Sequence, residues 1–211
     1  MSQTHRLLTA VALALSIATP ALAGPPLLCH PFDIGTAKSL PWGTTGWFQG
    51  RAGYPIEQLV ADTEAILQPG TPVVVRMETL RRAAIYASHD PAVAAELVNR
   101  LSLKAGQQTP DALAALDAAY VIEALRQITM LGQTAEFRDH IADVKHILEG
   151  RDAVPFLAQA VQAQPSDPAV AFAAALIAMD ADKPAYGGYA ARARAGASQD
   201  ALLARNINHL S

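Results

Sequence analysis

Several groupings of residues in this sequence have the side chains for chemistry, and each is short of what that chemistry requires. His140, Asp143 and His146 fall at i, i+3 and i+6 of a candidate helix, a donor set of the kind that holds a divalent metal, with Glu136 one turn earlier. Positions i and i+6 lie nearly two turns apart, so both imidazoles reach one ion with difficulty, and a solvated helix face is the preferred reading. Cys29 stands beside His30, and an imidazole can lower a thiol pKa. The plainer expectation for Cys29 is a half-buried thiol, with a disulfide to a second chain as the alternative. Ser88-His89-Asp90 contains the residues of a hydrolytic triad, but sequence neighbours cannot form its serial hydrogen bonds, so Asp90 reads as a helix cap. Gly43-Thr44-Thr45-Gly46 lacks the lysine and the flanking strand and helix of a phosphate loop. Nothing in these motifs calls for a cofactor, and none is expected.

Charged residues on apolar faces are more informative. At 100° per residue, Val74, Met77, Leu80, Ala84 and Ile85 share one arc of a helix and Arg81 falls within it. A later helix groups Leu113, Leu116, Tyr120, Ala124, Ile128 and Leu131, and Asp117 falls among them. A buried charge without a partner costs several kcal/mol, so each of the two needs one. The expectation is an Arg81–Asp117 pair, with Glu78, Tyr120 or Glu123 in the same network. Its preferred role is to fix helix register; the alternative is that Arg81 holds an anionic ligand between helices.

The elements that carry these residues follow from composition and punctuation. The chain has 211 residues, 51% of them hydrophobic and 17% charged, with a formal charge of −3 and one cysteine. The charge argues against a basic nucleic-acid binder, and the single cysteine excludes an internal disulfide framework. Residues 1–23 read as a secretory signal: His5 and Arg6, an apolar run from Leu7 to Thr19, and Ala21-Leu22-Ala23 ahead of Gly24. Loss of this leader removes Arg6 and no acid, leaving 15 basic and 19 acidic residues. No later stretch is comparably apolar, so a soluble periplasmic or extracellular protein without a membrane span is expected.

Residues 24–54 form a segment of different character. It holds Pro25, Pro26, Pro31 and Pro41, several glycines, and the aromatics Phe32, Trp42, Trp47, Phe48 and Tyr54. These rings are too costly to leave in water. An irregular arm folded onto the body behind it is expected, either capping the helices or presenting its aromatics for recognition.

From residue 55 to 211 the punctuation is helical. Thr71-Pro72, Asp90-Pro91, Thr109-Pro110 and Asp167-Pro168 repeat one start signal, a capping residue before a proline that needs no amide partner. Helices are expected at about 55–68, 72–88, 91–104, 110–131, 134–149, 153–164, 168–180, 184–195 and 199–209. Phe137, Ile141, Val144 and Leu148 make a clear stripe, and Ala169 to Ala178 is apolar nearly all round, which predicts the most buried helix. Prolines 72, 91 and 110 are spaced 19 residues apart, and alanine supplies about a fifth of the chain. Short, close-packed helices stacked as hairpins follow: an all-α fold, either a right-handed solenoid or a compact array.

The stretch from Pro168 through Met179, followed by Tyr186, Tyr189 and the alanines at 190, 191, 193 and 195, resembles a degenerate tetratricopeptide repeat over about 167–210. Gly187-Gly188 departs from that pattern by interrupting the second helix. The resemblance implies a helical-repeat scaffold that binds a protein or peptide partner and has no catalytic residue to carry over. The alternative is a small extracytoplasmic enzyme or ligand-binding protein with a pocket near Arg81, Glu78 and Asp117.

Overall fold

A computed structural model describes residues 24–44, 46–107 and 111–210; the leader and the Thr109-Pro110 signal lie outside the described residues. The fold is all-α. Its helices are α1 (Leu59–Ile66), α2 (Val73–Ala87), α3 (Pro91–Ala105), α4 (Ala114–Met130), α5 (Ile141–Ile147), α6 (Val154–Ala163), α7 (Pro168–Ala181), α8 (Lys183–Gly196) and α9 (Ala201–Asn206). Among the described residues no helix is long and apolar enough to cross a membrane.

Two of the start signals act as their chemistry dictates. Asp90 Oδ1 accepts the amides of Ala92 and Val93 at 3.0 and 3.2 Å, and Asp167 Oδ1 accepts those of Ala169 and Val170 at 2.8 and 3.2 Å. Each cap is worth about 1 kcal/mol. Asp200 caps α9 in the same way without a proline. Thr71 does not cap α2: its hydroxyl donates to the Ile66 carbonyl and closes the turn leaving α1. Polar side chains next to a helix start have such local alternatives.

The expected helix at 134–149 contracts to a 3-10 turn, Arg138–His140, and the seven residues of α5. Phe137 and His140 have φ near −115°, and the Thr134 hydroxyl donates to the Leu131 carbonyl within a series of turns. Of the apolar stripe, Phe137 and Val144 are buried and Ile141 and Leu148 only partly so, and periodicity did not indicate the backbone that carries them. In the opposite direction, α8 runs unbroken through Gly187-Gly188.

Helix α4 occupies the centre. Every residue from Ala114 to Leu125 is buried, and the helix packs on α2, α3, α5, α6 and α7. An open solenoid repeat meets only its neighbours in sequence, whereas here α2 and α4 both reach α7, which makes a compact array. Helices α7 and α8 form the most extensive pair, and Ala169 to Ala178 are all buried. Close approach at their ends depends on Gly196: a Cβ there would stand 2.4 Å from Pro168 Cβ.

The arm, residues 24–54, contains turns and a one-residue antiparallel bridge between Trp42 and Gly50. It is folded onto the helices, with Leu27, Leu28, Phe32 and Leu40 buried in the common core. Burial of each such side chain contributes about 1.5–3 kcal/mol before the cost of ordering the segment.

Candidate functional site

Extended backbone can join a helical core only if its amides and carbonyls find partners there. Helix α2 supplies many of them. Glu78 Oε2 accepts the Phe32 amide at 3.0 Å; Arg81 donates to the carbonyls of Leu28 and Trp47 at 3.3 and 2.8 Å; Arg82 donates to the Leu40 carbonyl at 2.6 Å. Tyr86 donates its hydroxyl to the Pro41 carbonyl and accepts the Arg51 amide, at 2.7 and 2.6 Å. From α4, Tyr120 donates to the Leu27 carbonyl and Gln127 accepts the Leu27 amide. Asn206 of α9 exchanges two hydrogen bonds with the backbone of Asp33.

Charge balance holds this clamp together. Arg81 gives two donors to Glu78, at 2.7 and 2.8 Å, and Arg82 gives a third at 2.7 Å. Burial works to raise the Glu78 carboxyl, but the hydrogen bonds and charges of Arg81 and Arg82 outweigh it, so the pKa falls below the usual carboxylate range. The Arg81 guanidinium also lies 4.9 Å from the centre of the Trp42 ring.

The expected Arg81–Asp117 pair does not form. Asp117 binds Arg76 at 2.5 Å, and Arg76 also reaches Asp111 at 2.7 Å and the Gln68 carbonyl at 2.6 Å. The reason is register: Arg76 and Arg81 are five residues apart, roughly 7.5 Å along α2, and the N-terminal turn of α4 lies beside the earlier one. Burial drives the Asp117 carboxyl up to about 7, against the pull of Arg76, and the charge of Asp111 adds to the rise. Glu123 pairs with Arg126 at 2.6 Å, and burial raises it likewise to about 7. Glu78 and Arg81 thus belong to one network and Asp117 to a second. Tyr120 and Glu123 are linked through Leu27, whose carbonyl takes the Tyr120 hydroxyl and whose amide is held by Gln127, itself bonded to Glu123. Arg81 is spent on Glu78 and on arm carbonyls, which removes the basis for an anion site there.

The arm that this network fixes forms, with the turns that hold His89 and Glu136, a concave pocket of about 690 Å³. Trp42 and Phe48 line it together with Gly43, Gly50, Arg51, His89 and Glu136. Two chains of rings support Trp42 and Phe48. Tyr54 lies 4.6 Å from Tyr86, which meets Trp42 edge-on at 5.5 Å; Phe48 meets Trp47 at 5.3 Å, and Trp47 leads through Phe137 to His89. Tyr54 is tied down further by donating to Asp62 at 2.7 Å. Burial, and then the charge of His140, lower the His89 pKa, so the imidazole is neutral at physiological pH. Gly50 is dictated by contact: a Cβ there would lie 2.1 Å from the Tyr86 ring.

Of the five arm aromatics, Trp42 and Phe48 line the pocket, Trp47 and Tyr54 brace it, and Phe32 lies elsewhere, buried against Phe172 and His209. Cys29 is a free, half-buried thiol whose pKa burial raises, with Arg81 opposing. His140 lies 3.6 Å from Asp143, while His146 turns to Glu149 at 3.2 Å, so the three do not converge. Among the described residues no group of three His, Cys, Asp or Glu side chains is placed to hold a metal ion.

Sequence reasoning missed Arg76, Arg82 and Tyr86, and it named His89 and Glu136 only in other groupings, a triad-like run and a metal-donor set. Arg76 and Arg82 belong to the same helix as Arg81 and carried a signal in their own charge. His89 and Glu136 reach the pocket from segments far apart in the chain, and nothing local marks their meeting. Compared with protein-family models, with curated proteins and with solved structures, the chain matches none.

Proposed function

We propose that the chain is an exported, non-catalytic binding module that recognises a protein or peptide segment through the pocket of its arm. Residues 1–23 act as the leader. The observation that carries the reading is the rigid support of Trp42 and Phe48: both rings are partly open to solvent, yet each is braced by further rings and by an arm bound to buried charge. Half-buried aromatics on a preorganised backbone are the usual anchors of recognition sites, because little entropy is lost when a partner is bound. An apolar side chain of the partner packs against these rings, while Arg51 and Glu136, of opposite charge, suit the polar groups of a peptide backbone.

The helical body corresponds to the scaffold implied by the tetratricopeptide-like stretch, but recognition is assigned to the arm, since α2 and α4 are buried on nearly every face. A small-molecule ligand is the second reading, favoured by a volume within the range of about 300–1,000 Å³ common to such sites. Selection of peptides from a random library on the mature chain tests the proposal. Enriched sequences should share an apolar or aromatic anchor and shift the fluorescence of Trp42 and Trp47. Absence of enrichment, with a fluorescence response to small metabolites instead, favours the second reading.

A further inference from the structure

Two opposite charges line the pocket of the arm, and no other described residue engages either of them. Arg51 comes from the arm and Glu136 from the turns between α4 and α5, and both side chains are exposed. Among the described residues neither the Arg51 guanidinium nor the Glu136 carboxylate makes a hydrogen bond or an ion pair, so the two stand too far apart to pair with each other. The cations beside the Trp42 ring, Arg81 and Arg82, are already held by Glu78. His89 is neutral, because burial lowers its pKa, so the lining carries one positive and one negative charge. The backbone of the cation is fixed, since the Arg51 amide donates to the Tyr86 hydroxyl at 2.6 Å. The two limbs of the arm that meet at the Trp42–Gly50 bridge are held close as well: a Cβ on Gly43 would stand 2.8 Å from the Gln49 carbonyl oxygen.

We propose that the pocket takes short free peptides of two or three residues, with Arg51 receiving the terminal carboxylate, Glu136 the terminal ammonium, and Trp42 and Phe48 an apolar side chain. As a case of the peptide reading of the pocket, on which it rests, such a ligand has both ends free instead of continuing into a longer chain. A protein segment crossing the pocket brings only amides to the two charges. A free peptide brings a carboxylate and an ammonium, and hydrogen bonds between ionised groups are roughly twice as strong as neutral ones. A guanidinium also matches a carboxylate with two parallel donors, which fixes the direction of the ligand. Volume sets the length: a cavity of about 690 Å³ with equal sides is about 9 Å across, the span of two to three extended residues at about 3.5 Å each.

The test is calorimetric titration of the purified chain with free tripeptides that carry leucine, phenylalanine or tryptophan between two alanines. The tightest is then remade with an acetylated amine, with an amidated carboxylate, and with both. Each cap should weaken binding at least about tenfold, the scale of one hydrogen bond between charged groups. Because Arg51 and Glu136 are exposed, their variants leave the core intact. In Arg51→Gln the amidated and free-acid peptides should bind alike while acetylation keeps its effect, and in Glu136→Gln the reverse should hold. A site lost through misfolding would lose both discriminations together. Equal binding of free and doubly capped tripeptides would overturn the short-ligand proposal and leave the peptide reading standing. So would tripeptides that fail to bind where longer, library-selected peptides succeed. If no peptide of any length binds, the peptide reading falls and this ligand with it.

Discussion

Glu78 receives two donors of Arg81, at 2.7 and 2.8 Å, and neither side chain reaches solvent. The pair is the hinge between body and arm, because Glu78 also accepts the Phe32 amide and Arg81 also binds the Leu28 and Trp47 carbonyls. Breaking a buried pair by removing one partner leaves an uncompensated charge and costs about 3–5 kcal/mol. Glu78→Gln and Arg81→Met should each lower unfolding free energy by that amount in urea titrations. A loss of less than about 1 kcal/mol, the scale of an exposed pair, would contradict the clamp.

Two glycines make opposite predictions. At Gly50 a Cβ meets the Tyr86 ring at 2.1 Å, so Gly50→Ala must displace the arm or the ring, at an overpacking cost of about 1–3 kcal/mol. At Gly187, inside α8, no atom lies within 4 Å of an added Cβ. Gly187→Ala should therefore stabilise the helix by about 0.5–1 kcal/mol. Thermal melts of the two variants read both effects.

Asp117 gives stability a pH dependence of defined sign. Its carboxyl titrates at about 7 when folded, against 3.8 for a freely hydrated aspartate, so the folded chain keeps a proton that the unfolded chain releases. That contribution is fully present below about pH 4 and is lost as the pH climbs through 7. Asp117→Asn cannot titrate. Relative to wild type, the variant should gain stability between about pH 5 and about pH 8 in parallel denaturation curves. A difference that stays constant over the range would show that Asp117 is already ionised at the lower end.

How far the sequence could be read differs between the scaffold and its polar interior. Local chemistry identified the Asp90 and Asp167 caps and the buried alanine-rich face of α7, because caps and periodicity depend on nearby residues. Hydrophobic cost alone placed the arm's aromatics, Phe32 among them, against the body, whereas Leu27 and Leu28, equally buried, carried no such expectation. The partner of Asp117 was not legible. A helical wheel assigns a residue to a face, whereas the choice of Arg76 over Arg81 depends on how α2 and α4 slide past one another. For the pocket, the aromatic part of the lining was visible in Trp42 and Phe48, but the rest was not, since His89 and Glu136 approach only through tertiary packing.

The central claim is that the arm pocket is the recognition surface, and Phe48→Ala tests it with little damage to the core because Phe48 is only half-buried. The decisive measurement is the equilibrium affinity of one selected peptide for wild type, Phe48→Ala and a control, His146→Ala, on the exposed face of α5. Removal of an aromatic anchor costs about 2 kcal/mol or more, so Phe48→Ala should weaken binding at least about tenfold, while His146→Ala leaves it unchanged. Wild-type affinity in Phe48→Ala, with the variant folded by circular dichroism, would place recognition elsewhere on the molecule.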